Sequence, residues 1–281
     1  MDKILTIGGA NMDILAKSRE LFKMKDSNVG FVSSNVGGVG RNVAVSLSKL
    51  GYPVDLITAV PNSDFGEMIV ADLTRHQVGT RLILRGDFAD PIYVALEDHQ
   101  GEMIGAVNHM ETLEALDLKY LEALDIDFQS YCLVVSDTNI TPEAIQWVAG
   151  MKKRPPLAVE GVSRYKVLKL RPVLSLIDLL KINEGEALSL TGRSTPEAAL
   201  KSLVHQGVKE VHITLGSRGA LAGNGLETIH VPAPALKTIR SVNQAGDTYF
   251  SGVIDGTVRG LALEEKIVHG QALAAKKMRE G

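Results

Sequence analysis

From Leu133 onward the sequence alternates short apolar runs with helix-length stretches, and this alternation constrains the fold more than any other feature. Leu133–Ser136, Leu157–Glu160, Ile177–Lys181 and Glu210–Thr214 read as strands. Thr141-Pro142-Glu143 and Thr195-Pro196-Glu197 each open a helix, with threonine as N-cap and proline at the first helical position. Strands that are apolar throughout and alternate with helices imply a parallel sheet covered on both faces. Upstream, Lys3–Ile7 and Val54–Val60 read as further buried strands, Asp64–His76 as a helix and Arg81–Leu84 as a strand. Ile92–Glu97 pairs through Asp98-His99-Gln100-Gly101 with Met103–Val107, and Ala220–Val231 forms a second hairpin. A hairpin such as the first, inside an α/β chain, implies a small separate sheet that could serve as a lid.

The chain has 281 residues, 45% of them hydrophobic, enough for one large domain or two smaller ones. A formal charge of -3 and the absence of a basic stripe give no footprint for nucleic acid or an anionic membrane. No apolar run approaches about 18 residues, and the N-terminus enters a strand at once, so neither a membrane span nor a signal peptide is expected. The single cysteine, Cys132, excludes an internal disulfide and reads as a small core residue. A soluble protein of a reducing cytoplasm is expected. The histidines show no zinc-ligand spacing, and no serine sits in a G-x-S-x-G elbow. His109, at the close of the first hairpin, reads as a surface residue.

Thr238–Gly256 is the densest functional stretch. A β-type run feeds the Ala245-Gly246 turn, and Asp247 stands where a helix begins. Tyr249, Phe250, Val253, Ile254 and Val258 recur at helical spacing, so one face of that helix is buried. Free N–H groups at a helix start attract anions, and a carboxylate among them suits a base that takes a proton from an attacking hydroxyl. An N-capping aspartate after a glycine turn explains the same residues without chemistry.

Three other clusters stand at strand ends. Gly8-Gly9-Ala10-Asn11-Met12-Asp13 follows the first strand, at the place where open α/β sheets bind ligands; a polar turn is the alternative. Gly37, Gly38 and Gly40 follow an extended arm and precede a helix carrying Asn42, with Val43, Ala44, Leu47 and Leu50 on one face and Gly51 at its end. The spacing fits neither the dinucleotide fingerprint nor a Walker loop. Asn183 and Glu186 lie three apart at a helix start, a pairing suited to hydrated Mg²⁺. Alternatively Lys181, Glu184 and Glu186 are ordinary surface charge.

These pieces, in this order, resemble the ribokinase-like (PfkB) family of sugar and nucleoside kinases. The segments that carry the resemblance are G-G-A-N-M-D (8–13), V-G-G-V-G-R-N (36–42), N-E-G-E (183–186), T-L-G-S-R-G (214–219) and Q-A-G-D-T-Y-F-S-G (244–252). Within the family the chain is most similar to the pseudouridine kinases. That similarity rests on D-S-N-V-G (26–30), G-G-V-G-R-N-V-A (37–44), G-E-M-I-G-A-V-N-H-M (101–110), S-D-T-N-I (136–140) and V-S-R-Y-K-V (162–167).

The resemblance implies a three-layer α/β/α fold with a central, mostly parallel sheet and a small β-sheet lid. Residues 1–281 would form one kinase domain, with lid segments at about 12–35 and 91–110. It implies phosphoryl transfer from ATP, with Mg²⁺ and a monovalent cation such as K⁺, to the 5′-hydroxyl of a ribose-bearing nucleoside, pseudouridine first. A free sugar such as ribose, another nucleoside, or binding without catalysis are the alternatives. Asn11, Asp13, Gly38 and Asn42 would hold the ribose, while Asn108 and Met110 would face the base. Asp247 would be the general base, with the N–H groups of Ala245, Gly246 and Asp247 as anion hole. Asn183 and Glu186 would organise Mg²⁺ through water, Thr214, Gly216 and Gly219 would line the nucleotide site, and Asn243 would lie near the phosphates. Lid strands would pair two copies as a homodimer. The chain departs from the family pattern at Gln244, where glycine is usual, and at Glu160-Gly161, where Asp-Pro is usual. It also ends at Gly281 within a predicted helix, so C-terminal elements of the family are expected to be missing.

Overall fold

The computed structural model describes residues 2–280. Its large sheet runs in spatial order β14 (Thr228–Val231), β13 (Ala220–Gly223), β12 (Glu210–Thr214), β11 (Leu179–Asn183), β10 (Leu157–Glu160), β9 (Leu133–Asp137), β1 (Ile4–Ile7), β4 (Val54–Pro61) and β5 (Val78–Gly79), with β6 (Ile83–Gly86) also on β4. Pairing is parallel from β12 to β5, and β12–β13–β14 is antiparallel. Helices α1 (Val39–Lys49), α2 (Asp64–Arg75), α7 (Ala245–Val258) and α8 (Leu263–Glu280) cover one face; their Leu47, Leu73, Phe250 and Ile267 share a core with Ile4 and Leu56. Helices α3 (Leu118–Ala123), α4 (Pro142–Gly150), α5 (Glu184–Thr191) and α6 (Pro196–His205) cover the other face, where Leu121, Ile145, Leu190 and Leu200 pack with Leu5 and Ile57. Alternate residues of β1 thus serve opposite cores, which is why that strand is apolar without a break.

The helix starts follow the sequence chemistry. The Thr141 and Thr195 hydroxyls accept from the N–H groups of Ala144 and Ala198, each ahead of a proline. Where strand bounds move, they move by one or two residues: the strand expected from Ile177 begins at Leu179, and the one expected from Arg81 begins at Ile83. Gly40 lies inside α1 rather than before it. Cys132 is half-buried at the margin of the core.

A second sheet of four strands stands apart, in the order β3 (Gly30–Gly37), β2 (Asn11–Ser18), β7 (Ile92–Glu97) and β8 (Met103–His109). β2 and β7 pair in parallel and the other pairs are antiparallel, so the expected hairpin is its β7–β8 half. Asn11 and Asp13 lie in strand β2, which excludes the polar-turn alternative for them.

One expectation fails here. Thr238–Asn243 forms no strand: prolines at 232 and 234 precede it, and the Arg240 N–H donates to the Met278 carbonyl of α8 at 2.9 Å rather than to a ladder. The loop ends at Gln244, which takes a left-handed backbone (φ 60°, ψ 7°) immediately before α7. Glycine adopts that conformation freely, whereas a side chain adds strain of about 1 kcal/mol. Gln244→Gly is therefore expected to raise stability by roughly 0.5–1 kcal/mol in urea denaturation. Destabilisation of that size would show that the glutamine side chain, rather than the backbone, holds the turn.

Candidate active site

The carboxyl ends of the parallel strands meet the start of α7. β1 leads outward to β4 on one side, while β9 to β12 proceed on the other, so the crevice lies between β1 and β9. Asp137, at the end of β9, closes that crevice by accepting from the Gly9 N–H at 2.9 Å and the Asn139 N–H at 2.8 Å. Gly38 (φ 95°) brings the α1 start against Gly9 and Ala10, where a Cβ would collide with backbone.

Asp247 sits in the first turn of α7 and is buried. Its carboxylate accepts from the Asn42 side-chain amide at 2.9 Å, so the GGVGRN helix and the α7 turn converge on one oxygen. Burial, reinforced by the negative charge of Glu160, pushes the Asp247 pKa up to about 7 against the opposing pull of Lys181 and Asn42. Of the three N–H groups of the expected anion hole, that of Ala245 reaches the Val242 carbonyl at 3.3 Å. Those of Gly246 and Asp247, like the first N–H groups of any helix, lack an intrahelical acceptor.

Behind this turn lies a charge cluster that sequence reasoning missed. Lys181 and Glu160 face each other in register on β11 and β10, both are buried, and the Lys181 ammonium meets the Glu160 carboxylate at 2.5 Å. The other Glu160 oxygen accepts from the Val162 N–H at 2.6 Å, and Val162 takes a left-handed backbone that a β-branched residue rarely adopts. A Cβ on Gly246 would stand 2.9 Å from the Lys181 nitrogen, so glycine lets the turn lie directly against the ammonium. Burial opposes the charge on Lys181, but the Glu160, Glu186 and Asp247 carboxylates outweigh it and hold its pKa above the usual value. The surface-charge alternative for Lys181 and Glu186 is thereby excluded. The signal was present in the sequence: a lone ionisable residue inside the apolar run L-L-K-I-N must be paired if that strand is central.

Asn183 and Glu186 are joined as a capping box. The Asn183 N–H and side-chain amide donate to the two Glu186 oxygens at 2.9 and 2.6 Å, and the Glu186 N–H donates to Asn183 Oδ1 at 2.9 Å. Glu184 instead pairs with Arg218 near the surface. Among the described residues no group of three or more His, Cys, Asp or Glu side chains is arranged to hold a metal. Each Glu186 oxygen keeps a lone pair, so the pair fits a hydrated ion held through its waters and does not fit a dry protein cage. Thr214 ends β12, and Gly216 and Gly219 bracket the tight turn that follows it, both at positive φ. Asn243 is exposed in the loop before α7, its N–H bonded to Ser241 Oγ at 3.0 Å.

On the acceptor side, Asp13 accepts from the Asn11 amide at 2.7 Å, and burial raises its pKa above the usual value. Asn35, Asp13, Tyr93 and Asn108 are cross-strand neighbours on one face of the small sheet. A cavity of about 930 Å³ opens beside the first two and reaches Asn42, Asn243 and Gln244. A second, of about 550 Å³, lies at the other end of the row, where Asn108 and Met110 meet Asn139 and Lys166. The Lys166 ammonium donates to Asn139 Oδ1 at 2.6 Å, and burial lowers its pKa. The expected site residues thus fall into three adjoining groups: Asn11, Asp13, Gly38 and Asn42 with Asp247; Asn183 and Glu186 behind the α7 turn; and Asn108 with Met110 at the edge of the small sheet. His109 is half-exposed and bonds to the Asp90 carbonyl, as a surface residue would.

Similarity to known proteins agrees with this geometry. The pseudouridine kinase of Escherichia coli strain K12 is 30% identical over 282 residues, covering 98% of this chain and 90% of that protein. A carbohydrate kinase from Agrobacterium tumefaciens superposes with a TM-score of 0.83 at 26% identity, over 98% of this chain and 90% of that one. A ribokinase from Arabidopsis thaliana, solved with ribose and ATP, gives 0.81 at 22% identity, over 98% and 91%. The description of the pfkB family of carbohydrate kinases matches residues 1–280 from end to end, and the chain belongs to that family.

Proposed function

We propose that this chain transfers the γ-phosphoryl group of ATP to the 5′-hydroxyl of a ribose-bearing nucleoside, with pseudouridine as the first candidate. The observation that carries the reading is Asp247: a buried carboxylate with its pKa raised to about 7, beside the unpaired N–H groups of an α-helix start and bonded to Asn42. In the proposed reaction the acceptor oxygen attacks phosphorus, its proton passes to Asp247, the O–P bond forms, and the bond to the departing ADP breaks. Asn11, Asp13, Gly38 and Asn42 orient the sugar so that the attack is in line. Partial positive charge comes from the N–H groups of Gly246 and Asp247, which face the developing anion, while Lys181 offsets the acids behind them. Asn183 and Glu186 would hold a hydrated Mg²⁺ through its waters, and the ion would supply charge neutralisation for the phosphates.

The small sheet acts as the lid in this reading, with its polar face toward the substrate. The 550 Å³ cavity favours a nucleoside over a free sugar, since Asn108, Asn139 and Lys166 present amide and ammonium donors where a base could lie. The carbonyl oxygens of a pyrimidine accept from such donors. The similarity to the pseudouridine kinase of E. coli supports the same choice.

The opposite face of the small sheet is apolar: Ile14, Val94 and Val107 align across it, as do Val32 and Leu96, with Val32 and Val107 73% and 74% exposed. We assign this face to a second copy of the chain. Sedimentation at micromolar concentration is expected to show a dimer that Val107→Lys converts to monomer. A wild-type monomer at those concentrations would remove the assignment.

ADP release is expected with pseudouridine in an assay that also presents uridine, adenosine and ribose, with and without K⁺. Turnover on ribose alone would keep the mechanism and exclude the nucleoside. No turnover on any acceptor, with pseudouridine still raising the melting temperature, would indicate a binding protein. Lys166→Met should raise KM for pseudouridine and leave any ribose turnover unchanged.

Asp247→Asn should lower kcat by about 10²–10⁴-fold. Because the base acts as the carboxylate, kcat/KM should rise with pH, half-maximal near the Asp247 pKa of about 7, and level off above it. A profile flat from pH 5.5 to 8.5 would exclude Asp247 as the base.

A further inference from the structure

Arg41 and Asp72 lie outside the chemistry described so far, yet both are buried directly behind Asn42. Arg41 follows Gly40 in α1, and Asp72 lies on α2; each is less than a tenth exposed, as is Asn42. Arg41 Nε donates to Asp72 Oδ2 at 2.8 Å, and Nη2 donates to the same oxygen. The remaining terminal nitrogen, Nη1, donates to Asn42 Oδ1 at 3.0 Å. The Asn42 amide nitrogen in turn donates to Asp247 Oδ2 at 2.9 Å. The result is a continuous buried chain of four side chains: Asp72, Arg41, Asn42, Asp247.

The chemistry at both ends of Asn42 fixes its amide. A guanidinium has only donors and a carboxylate only acceptors, so the carbonyl oxygen must face Arg41 and the NH₂ group must face Asp247. Without Arg41 only the ionised form of Asp247 orients the amide: once Asp247 is protonated, the carbonyl oxygen is free to turn and accept its proton, which favours the acid form. The second amide hydrogen stays free for the acceptor hydroxyl, so the same orientation serves base and substrate. A buried ion pair is a poor way merely to hold α1 on α2, since an apolar pair of similar volume does that as well or better. What an apolar pair cannot do is set the polarity of an amide. Arg75 from the surface and His76 Nδ1, at 3.4 Å, meet Asp72 at Oδ1, the oxygen that Arg41 does not use.

We propose that Arg41, clamped by Asp72, is a positioning residue that locks the Asn42 amide with its donor toward Asp247. This rests on the kinase reading for its consequence and on geometry alone for its existence. The charged groups around Asp247 are Glu160 from β10, Lys181 from β11 and Asp137 from β9, with Asn42 from α1 completing the set. Only the last is altered by changing Arg41. Losing its donation should raise the Asp247 pKa, since a hydrogen bond to a carboxylate favours the charged form.

The test is the double variant Arg41→Met/Asp72→Leu, which leaves no orphaned charge, with Arg75→Met as control. The acid limb of kcat/KM for the acceptor is expected to move up by roughly one unit in the double variant. Turnover at pH 7 then falls by roughly fivefold from protonation alone and recovers above about pH 9, with KM for ATP unchanged. A packing defect would lower turnover at every pH instead. Arg75→Met should leave the limb in place. The carboxyl carbon of Asp247, identified by NMR as the signal absent from Asp247→Asn, should titrate with the same shift in the protein without substrate. If the double variant does not fold, Arg41→Lys carries the same expectation, since it keeps the charge on Asp72 and removes the forked nitrogens. A limb and a carboxyl titration both within about 0.2 unit of wild type, in a folded variant, would overturn the proposal. Absence of ADP release from the wild type would remove the kinase reading and leave the NMR titration to decide the relay.

Discussion

One buried ammonium organises the charge at the carboxyl edge of the large sheet. Lys181 is enclosed by Glu160, Glu186 and Asp247, and all four side chains lie out of solvent. Three acids around one base leave an excess of negative charge, and Glu160, at 2.5 Å, takes most of what Lys181 offers. Burial and the Glu160 charge outweigh what Lys181 offers Asp247 and raise its pKa, as burial also raises that of Glu186. A carboxylate held near neutrality is matched to accepting a proton and later releasing it. Breaking a buried pair by removing one partner commonly costs about 3–5 kcal/mol, so this arrangement is fixed by folding as well as by chemistry.

The same edge explains the clustering of glycines. Gly8, Gly9, Gly38 and Gly40 bring β1 and the start of α1 into backbone contact, where a Cβ on Gly40 would stand 2.7 Å from Gly8. That contact carries Asn42 across the crevice to Asp247. Were α1 held off by side chains, the amide could not span to α7, and the acid would lose its one neutral hydrogen-bond donor. Close packing of backbone thus sets an electrostatic quantity.

The architecture was legible in the sequence because its signals are local. Threonine caps, prolines at the first helical position and unbroken apolar runs specify helices and buried strands without reference to distant residues. The candidate base was legible for the same reason, as an acid just behind a glycine turn. Its environment was not. Glu160 and Lys181 are 21 residues apart, Arg41 and Asp72 are 31 apart, and Asn42 and Asp247 are 205 apart. Only sheet register and helix packing bring them together. Thr238–Asn243 misled in the opposite way: its residues suit a strand, but the edge of the sheet is already taken by β14. Strand formation requires a partner, and local composition does not report one.

The small sheet ties its polar row to whatever covers its far side. Side chains alternate along a strand, so Asp13 and Tyr93 face one way while Ile14 and Val94 face the other. A slip of one residue in the β2–β7 register would exchange the two sets, placing Asp13 among apolar neighbours and Ile14 in the polar row. Register is therefore specified twice, by the polar row and by the apolar one. Any surface that buries Val32, Val94 and Val107 also favours the register that keeps Asp13, Tyr93 and Asn108 together on the opposite face. In the dimer we assign to that face, association and acceptor binding select the same pairing of the same four strands.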